Sequence, residues 1–131
     1  MMHVLDSSAL LALFQREEGY EIVEGFLSSA KRGETELIMS EINYGEVLYI
    51  SGLYRGKERM REVKHLIEML PLRLVPVNRE AVERAAELKV DHPIAYGDAF
   101  AVALALEEGA ILATKDRELE SVSHRIEVLW I

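Results

Sequence analysis

Residues 3–14 read HVLDSSALLALF. His3-Val4-Leu5 is a strand-like run that meets Asp6, and after Ser7-Ser8 an apolar run resumes with helical spacing to Gln15. A short strand followed at once by a helix that Asp6 or Ser7 starts is the opening of a β-α unit. The N-terminal segment has no basic region before its apolar residues, so it reads as a strand and not as a signal peptide.

The same alternation continues along the chain. Tyr20 to Lys31 puts Ile22, Val23, Phe26 and Leu27 on one helical face, and Gly33 closes it. Leu37-Ile38-Met39 reads as a strand, after which Ser40 caps a helix to about Leu53. Glu58 to Leu70 is a second helix, with Met60, Val63, Ile67 and Leu70 on one side. Leu72 to Val77 reads as a short or edge strand because Pro76 cannot donate to a ladder. Asn78 caps a helix to about Val90, and Ile94 to Glu108 is a very apolar helix. Ala110 to Thr114 is a strand, Asp116 to Ser121 a short helix, and Ile126 to Leu129 the last strand. Strands separated by helices predict an α/β fold: a three-layer sandwich whose central, mostly parallel sheet is flanked by helices. With no linker, repeat or low-complexity tract, residues 1–131 are expected to form one domain.

In such sheets, sites form beyond the carboxyl ends of the strands. Asp6 follows the first strand directly and Asp116 follows Ile111-Leu112-Ala113, which places both on one edge. Helices that start from this edge carry two more acids. Glu46 borders a stripe of Ile42, Val47 and Ile50, and Asp98 opens a helix with almost no other polar residue. Taken singly, Asp6 and Asp116 read as helix N-caps and Glu46 as a surface glutamate. Asp98 resists so simple an account, because an unpaired charge beside apolar faces is costly to bury. Taken together, four carboxylates with no Arg or Lys among them would raise one another's pKa unless a cation sits between them. Hard oxygen donors suit Mg²⁺ or Mn²⁺.

Composition agrees that the aspartates are special. Of 23 acidic residues only four are Asp, namely Asp6, Asp91, Asp98 and Asp116. Asp91 is loop or helix-end punctuation before Pro93. The chain lacks cysteine, which excludes disulfides and thiolate metal sites, and no run approaches the ~20 apolar residues of a membrane helix. A cytoplasmic location is expected. The four histidines show no metal-ligand spacing, and phosphate loops, dinucleotide fingerprints and nucleophile elbows are missing. A net charge of −8 argues against a nucleic-acid partner, yet Arg55, Lys57, Arg59, Arg61 and Lys64 gather within ten positions. Interleaved Glu58 and Glu62 favour a solvated helix face over a phosphate-binding strip.

Four fragments, VLDSSALLALF, SEINYGEVLY, IAYGDAFAVALALEEGA and ILATKDREL, fall in an order that resembles the PIN-domain ribonucleases, and most of all the small VapC-type toxins of toxin–antitoxin pairs. That resemblance spans essentially the whole chain. It implies that Asp6, Asp98 and Asp116 bind metal, Mg²⁺ or Mn²⁺. Glu46 is implied as the fourth catalytic acid, with Ser8 and Thr114 as hydroxyls that orient the cluster. It further implies hydrolysis of RNA phosphodiester bonds, a cognate antitoxin protein and a homodimer. Lys115 beside Asp116 is atypical, and Glu118-Leu119 supply no further Asp for a second metal. An RNA-processing nuclease without a toxin role is the first alternative, and an adjacent antitoxin reading frame separates the two. A signalling module with Asp6 or Asp116 as phosphoacceptor, for which ATKD supplies Lys and Thr nearby, is a weaker one, since it leaves Asp98 and Glu46 without a purpose. A non-catalytic binding module fits an intact acidic set least of all.

Overall fold

A strand covered by helices on both faces is apolar at successive positions, because alternate side chains enter opposite cores. The computed structural model, which describes all 131 residues, shows this in its central strands. Its five strands are β1 (Met2–Leu5), β2 (Glu36–Ser40), β3 (Leu72–Val75), β4 (Ile111–Thr114) and β5 (Val128–Trp130). They lie in the order β3-β2-β1-β4-β5, every neighbouring pair parallel. Val4, Ile38 and Leu112 enter one core, while Leu5, Leu37, Met39 and Ala113 enter the other.

The helices divide accordingly. α1 (Ser7–Gln15), α2 (Tyr20–Lys31) and α3 (Glu41–Glu68) cover the second core; α4 (Arg79–Asp91) and α5 (Tyr96–Glu108) cover the first. α5 buries every residue from Asp98 to Ala105, which is why its sequence has no polar face. Burying Phe100, Val102 and Leu104 contributes roughly 1.5–3 kcal/mol each. The chain runs from β1 to β2 and β3 on one side, then crosses to β4 and β5 on the other. The carboxyl ends of β1 and β4 therefore form the topological switch point where sites of such sheets lie.

Some boundaries differ from the sequence reading. The two helices expected over residues 40–70 abut as α3, broken at Arg55 (φ −135°, ψ 17°) and Gly56 (φ 85°, ψ 173°). Only glycine adopts the second conformation cheaply. The buried stripe of α3 is Asn43, Val47 and Ser51; Ile42 is exposed and Ile50 half-buried, contrary to expectation. Ile22 likewise faces solvent at 44% exposure, leaving Val23 and Leu27 to pack α2. β3 is an edge strand that stops before Pro76, and the last strand begins at Val128 because Ile126 turns into the core. α5 starts at Tyr96, its preceding residue Ala95 being extended, while Ile94 is buried ahead of it.

Candidate active site

The end of β1 delivers Asp6 to the switch point, and the N-terminus of α1 holds it there. Asp6 Oδ1 accepts from the Ala9 N–H at 3.0 Å, the expected N-cap bond, and from Ser8 Oγ at 2.6 Å. Oδ2 accepts from Thr114 Oγ1 at 2.5 Å, across the β1–β4 pair. The two hydroxyls also receive: Ser8 Oγ accepts from the Lys115 N–H and Thr114 Oγ1 from the Asp116 N–H, each at 2.9 Å. Asp6, Ser8 and Thr114 thus lock the turn after β1 to the turn after β4. Burial pushes the Asp6 carboxyl above the usual carboxylate range, the three donors oppose this, and the charge of Asp116 adds to the rise.

Asp98 has no such set of donors. It lies in the first turn of α5, 8% exposed, and its carboxyl is pushed up to about 8. Desolvation is the largest cause, followed by a hydrogen bond to Asp116 and by the charges of Asp116, Asp6 and Glu46. The helix macrodipole favours an anion here by only ~0.3–1 kcal/mol. That is less than one unit at ~1.36 kcal/mol per unit, so repulsion and burial win. Carboxylate oxygens of Asp98, Asp116 and Glu118 lie within 4.8 Å of one another. Asp6 and Glu46 stand outside this trio and act on Asp98 through their charges.

Glu118 is the acid that the sequence reading passed over. Asp116 caps the 3-10 helix Arg117–Val122, its Oδ1 accepting from the Glu118 N–H at 3.0 Å. That first-turn position brings the Glu118 carboxylate back beside Asp116, as an acid two residues after an N-cap allows. Lys115 directs its amine to Glu17, 4.0 Å away.

Glu46 is held by a residue that was also missed. Asn43 is fully buried, and its Nδ2 donates to Glu46 Oε1 at 2.8 Å and to the Gly97 carbonyl at 3.0 Å. Its Oδ1 is buried without a partner. Gly97 carries no side chain for a specific reason: a Cβ there would lie 2.7 Å from Glu46 Cδ. The signal in the sequence was the i, i+4 spacing of Asn43 with Val47, which marks a buried face. An all-oxygen trio around a carboxyl that resists ionisation suits a hard divalent cation, and Asp98, Asp116 and Glu118 could hold one.

Comparison with solved structures finds the same architecture throughout the chain. A chain of the Rickettsia felis VapBC2 complex, bound to a DNA fragment from its promoter, shares 16% identity at a TM-score of 0.77, covering 100% of this chain and 99% of its own. A chain of DNA-bound VapBC from Salmonella typhimurium shares 18% identity at 0.77, covering 98% and 97%. Mycobacterium tuberculosis VapC20, a sarcin-ricin loop cleaving toxin, shares 17% at 0.75, covering 92% and 94%. Identities this low speak for the fold. No curated protein has a matching sequence. The family model of the PIN domain, however, matches residues 3–125, from the first strand to beyond the 3-10 helix, and by that match the chain belongs to the PIN-domain family.

Proposed function

We propose that this protein is a metal-dependent endoribonuclease that hydrolyses RNA phosphodiester bonds, and that it is the toxin of a toxin–antitoxin pair. The observation that carries the nuclease reading is the trio of carboxylates within 4.8 Å at the switch point, in a fold whose family members are nucleases. The toxin reading is supported by the VapBC complexes and the VapC20 toxin among the structural neighbours. A cognate antitoxin, a homodimer and a cytoplasmic location belong to this proposal. No helix is long and apolar enough to cross a membrane.

Asp98, Asp116 and Glu118 would hold Mg²⁺ or Mn²⁺, with Asp6 close enough to add its charge. When bound, such an ion lowers the pKa of its water and stabilises charge growing on phosphoryl oxygens. Glu46, fixed by Asn43 and by close contact with Gly97, orients the attacking water and accepts its proton. Ser8 and Thr114 keep Asp6 from swinging out of the site. Asp98 must release its proton before it can ligate, since burial and the neighbouring acids push its carboxyl well above the usual carboxylate range. A phosphoacceptor role for Asp6 is disfavoured: it is 1% exposed and both of its oxygens already accept hydrogen bonds.

The deciding experiment is thermal unfolding with and without Mn²⁺ for the wild type and Asp98→Asn, followed by cleavage of structured RNA. Mn²⁺ is expected to stabilise the wild type alone and to support cleavage by it alone. Equal stabilisation of both proteins, or of neither, would overturn Asp98 as a ligand. A metal-bound wild type that cuts RNA without arresting growth in the absence of any neighbouring antitoxin leaves an RNA-processing nuclease.

A further inference from the structure

The basic run in α3 resolves into two populations. Lys57, Arg61 and Lys64 are exposed and line no cleft, whereas Arg55, also exposed, and half-buried Arg59 share a cleft with Arg16 at the end of α1. Between these elements is a cleft of about 230 Å³ whose lining includes Arg16, Arg55, Arg59, Ser51 and Tyr54 and contains no carboxylate. In a chain of net charge −8, three guanidinium groups around one concavity with no acid in its wall is a local inversion of sign.

The backbone is shaped around it. Arg16 caps α1 in the left-handed region (φ 55°, ψ 40°), an uncommon conformation for a residue with a side chain. Gly56 supplies the break in α3 at the next wall. Arg59 is fixed by the Phe14 carbonyl at 3.1 Å and by Glu62 at 3.0 Å. Arg16 and Arg55 carry no ion pair and rest against the rings of Tyr20 and Tyr54, 5.0 and 5.4 Å from the centroids. Two unpaired guanidinium forks beside a fixed third match a tetrahedral oxyanion better than lysine ammoniums would.

Both walls begin at the acidic edge. Asp6 caps the start of α1, which ends at the cleft, and Ser51 follows Glu46 by five residues on α3, about 7.5 Å of helix. We propose that the cleft holds a backbone phosphate of single-stranded RNA, a few nucleotides along the strand from the phosphate that would lie at the carboxylates, with exposed Tyr54 available to stack on a base. This rests on the nuclease reading for its choice of RNA, and a phosphate carried by a nucleic-acid backbone is preferred over an acidic peptide because the cleft and the acids share α1 and α3.

The test is fluorescence anisotropy of a labelled single-stranded RNA in EDTA, over a salt series, with a thermal melt of each variant. The Arg16→Gln/Arg55→Gln double variant is expected to bind at least about tenfold more weakly, with a salt slope reduced by roughly 0.7–1.4. Lys57→Gln/Lys64→Gln, which removes equal charge from the same strip, should change affinity by less than about twofold. Equal losses in both variants, or none in either, would overturn the cleft as a site. Arg55→Gln alone repeats the measurement if the double variant melts early. Inorganic phosphate that stabilises the wild type while the double variant binds RNA normally assigns the cleft to a free phosphate, and polyglutamate that displaces RNA at equal charge assigns it to an acidic peptide. Either result ends the RNA proposal. RNA bound through the cleft by a wild type that never cleaves it leaves this site standing and removes the nuclease reading. Cleavage indifferent to Arg16 and Arg55 does the reverse.

Discussion

Asp6 and Asp98 are both buried aspartates near the start of a helix, and burial raises both carboxyls, yet only Asp6 is supplied with donors that oppose the rise. Three donors from Ser8, Ala9 and Thr114 surround Asp6 and offset part of the cost of burying its charge. Asp98 has desolvation and three acidic neighbours, and its carboxyl is pushed up to about 8. One region is a finished hydrogen-bond network that joins β1 to β4. The other is a set of charges left uncompensated by the chain. A buried polar group that the fold satisfies contributes structure; one that it leaves in conflict points to a missing partner, here a cation.

Removing the conflict is the largest break in this comparison. Asp98→Asn is expected to abolish stabilisation by Mn²⁺, which for the wild type should reach about 2.7 kcal/mol at a hundredfold excess over Kd. The metal-free variant should be no less stable than the wild type, as measured by thermal unfolding in EDTA. Damage to the finished network should act in the opposite sense. Thr114→Val deprives buried Asp6 of a donor and the Asp116 N–H of its acceptor, at a cost of about 1–3 kcal/mol in chemical denaturation. Combined with Asp98→Asn the effects should not add, because Asp6 and Asp98 share a field.

Titration sharpens the contrast further. The fold retains the Asp98 proton that the unfolded chain releases near pH 3.9, so metal-free stability should fall as pH rises from about 4 to about 8. The slope from this group approaches ~1.36 kcal/mol per unit, and Asp98→Asn should remove it. Over the same window Mn²⁺ affinity should rise with pH as the proton is displaced, a trend that calorimetry in two buffers detects. His3 works the other way. Burial lowers its pKa, and its ring nitrogen Nδ1 bonds Thr35 Oγ1 at 2.9 Å. Stability from His3 is therefore present above about pH 6.5 and lost as pH falls below it, so the Asp98 slope is read as the difference between variant and wild type.

The smallest expected change in stability is at Gly97. An alanine there gains up to about 1 kcal/mol of helix propensity but drives its Cβ into the Glu46 carboxylate. Net stability should move by less than about 1 kcal/mol, while cleavage drops because Glu46 is displaced. Unchanged cleavage by Gly97→Ala would remove Glu46 from the proposed chemistry.

Much of the fold was legible in the sequence. Short apolar runs between helical patterns specified a parallel sheet, and Pro76 marked β3 as an edge strand. A parallel sheet in turn placed Asp6 and Asp116 on one edge, because residues that follow parallel strands share an end. Their double role was less visible. Both do cap helices, as the simpler reading had it, and capping is what aims them at the site. Glu118 was set aside as not being an Asp, and Asn43 was not singled out, because nothing in composition separates one Glu from eighteen others, or a buried amide from a turn residue. The apolar stripe of α3 was misjudged for the same reason: hydrophobicity favoured Ile42, and tertiary contacts buried Asn43 and Ser51 instead.

The amino-acid sequence by itself determined the periodicities, and with them the layers, the strand direction and the edge on which four acids gather. Only the tertiary structure decided which carboxylates approach within 4.8 Å, which one is satisfied and which is not. It also separated the arginines that turn into the cleft from the lysines that face water. The physical reason is range. Periodicity is a local property that successive residues carry with them, whereas a pKa, a hydrogen-bond partner or a cleft wall depends on groups as far as 108 residues apart, brought together only when the sheet closes its two cores.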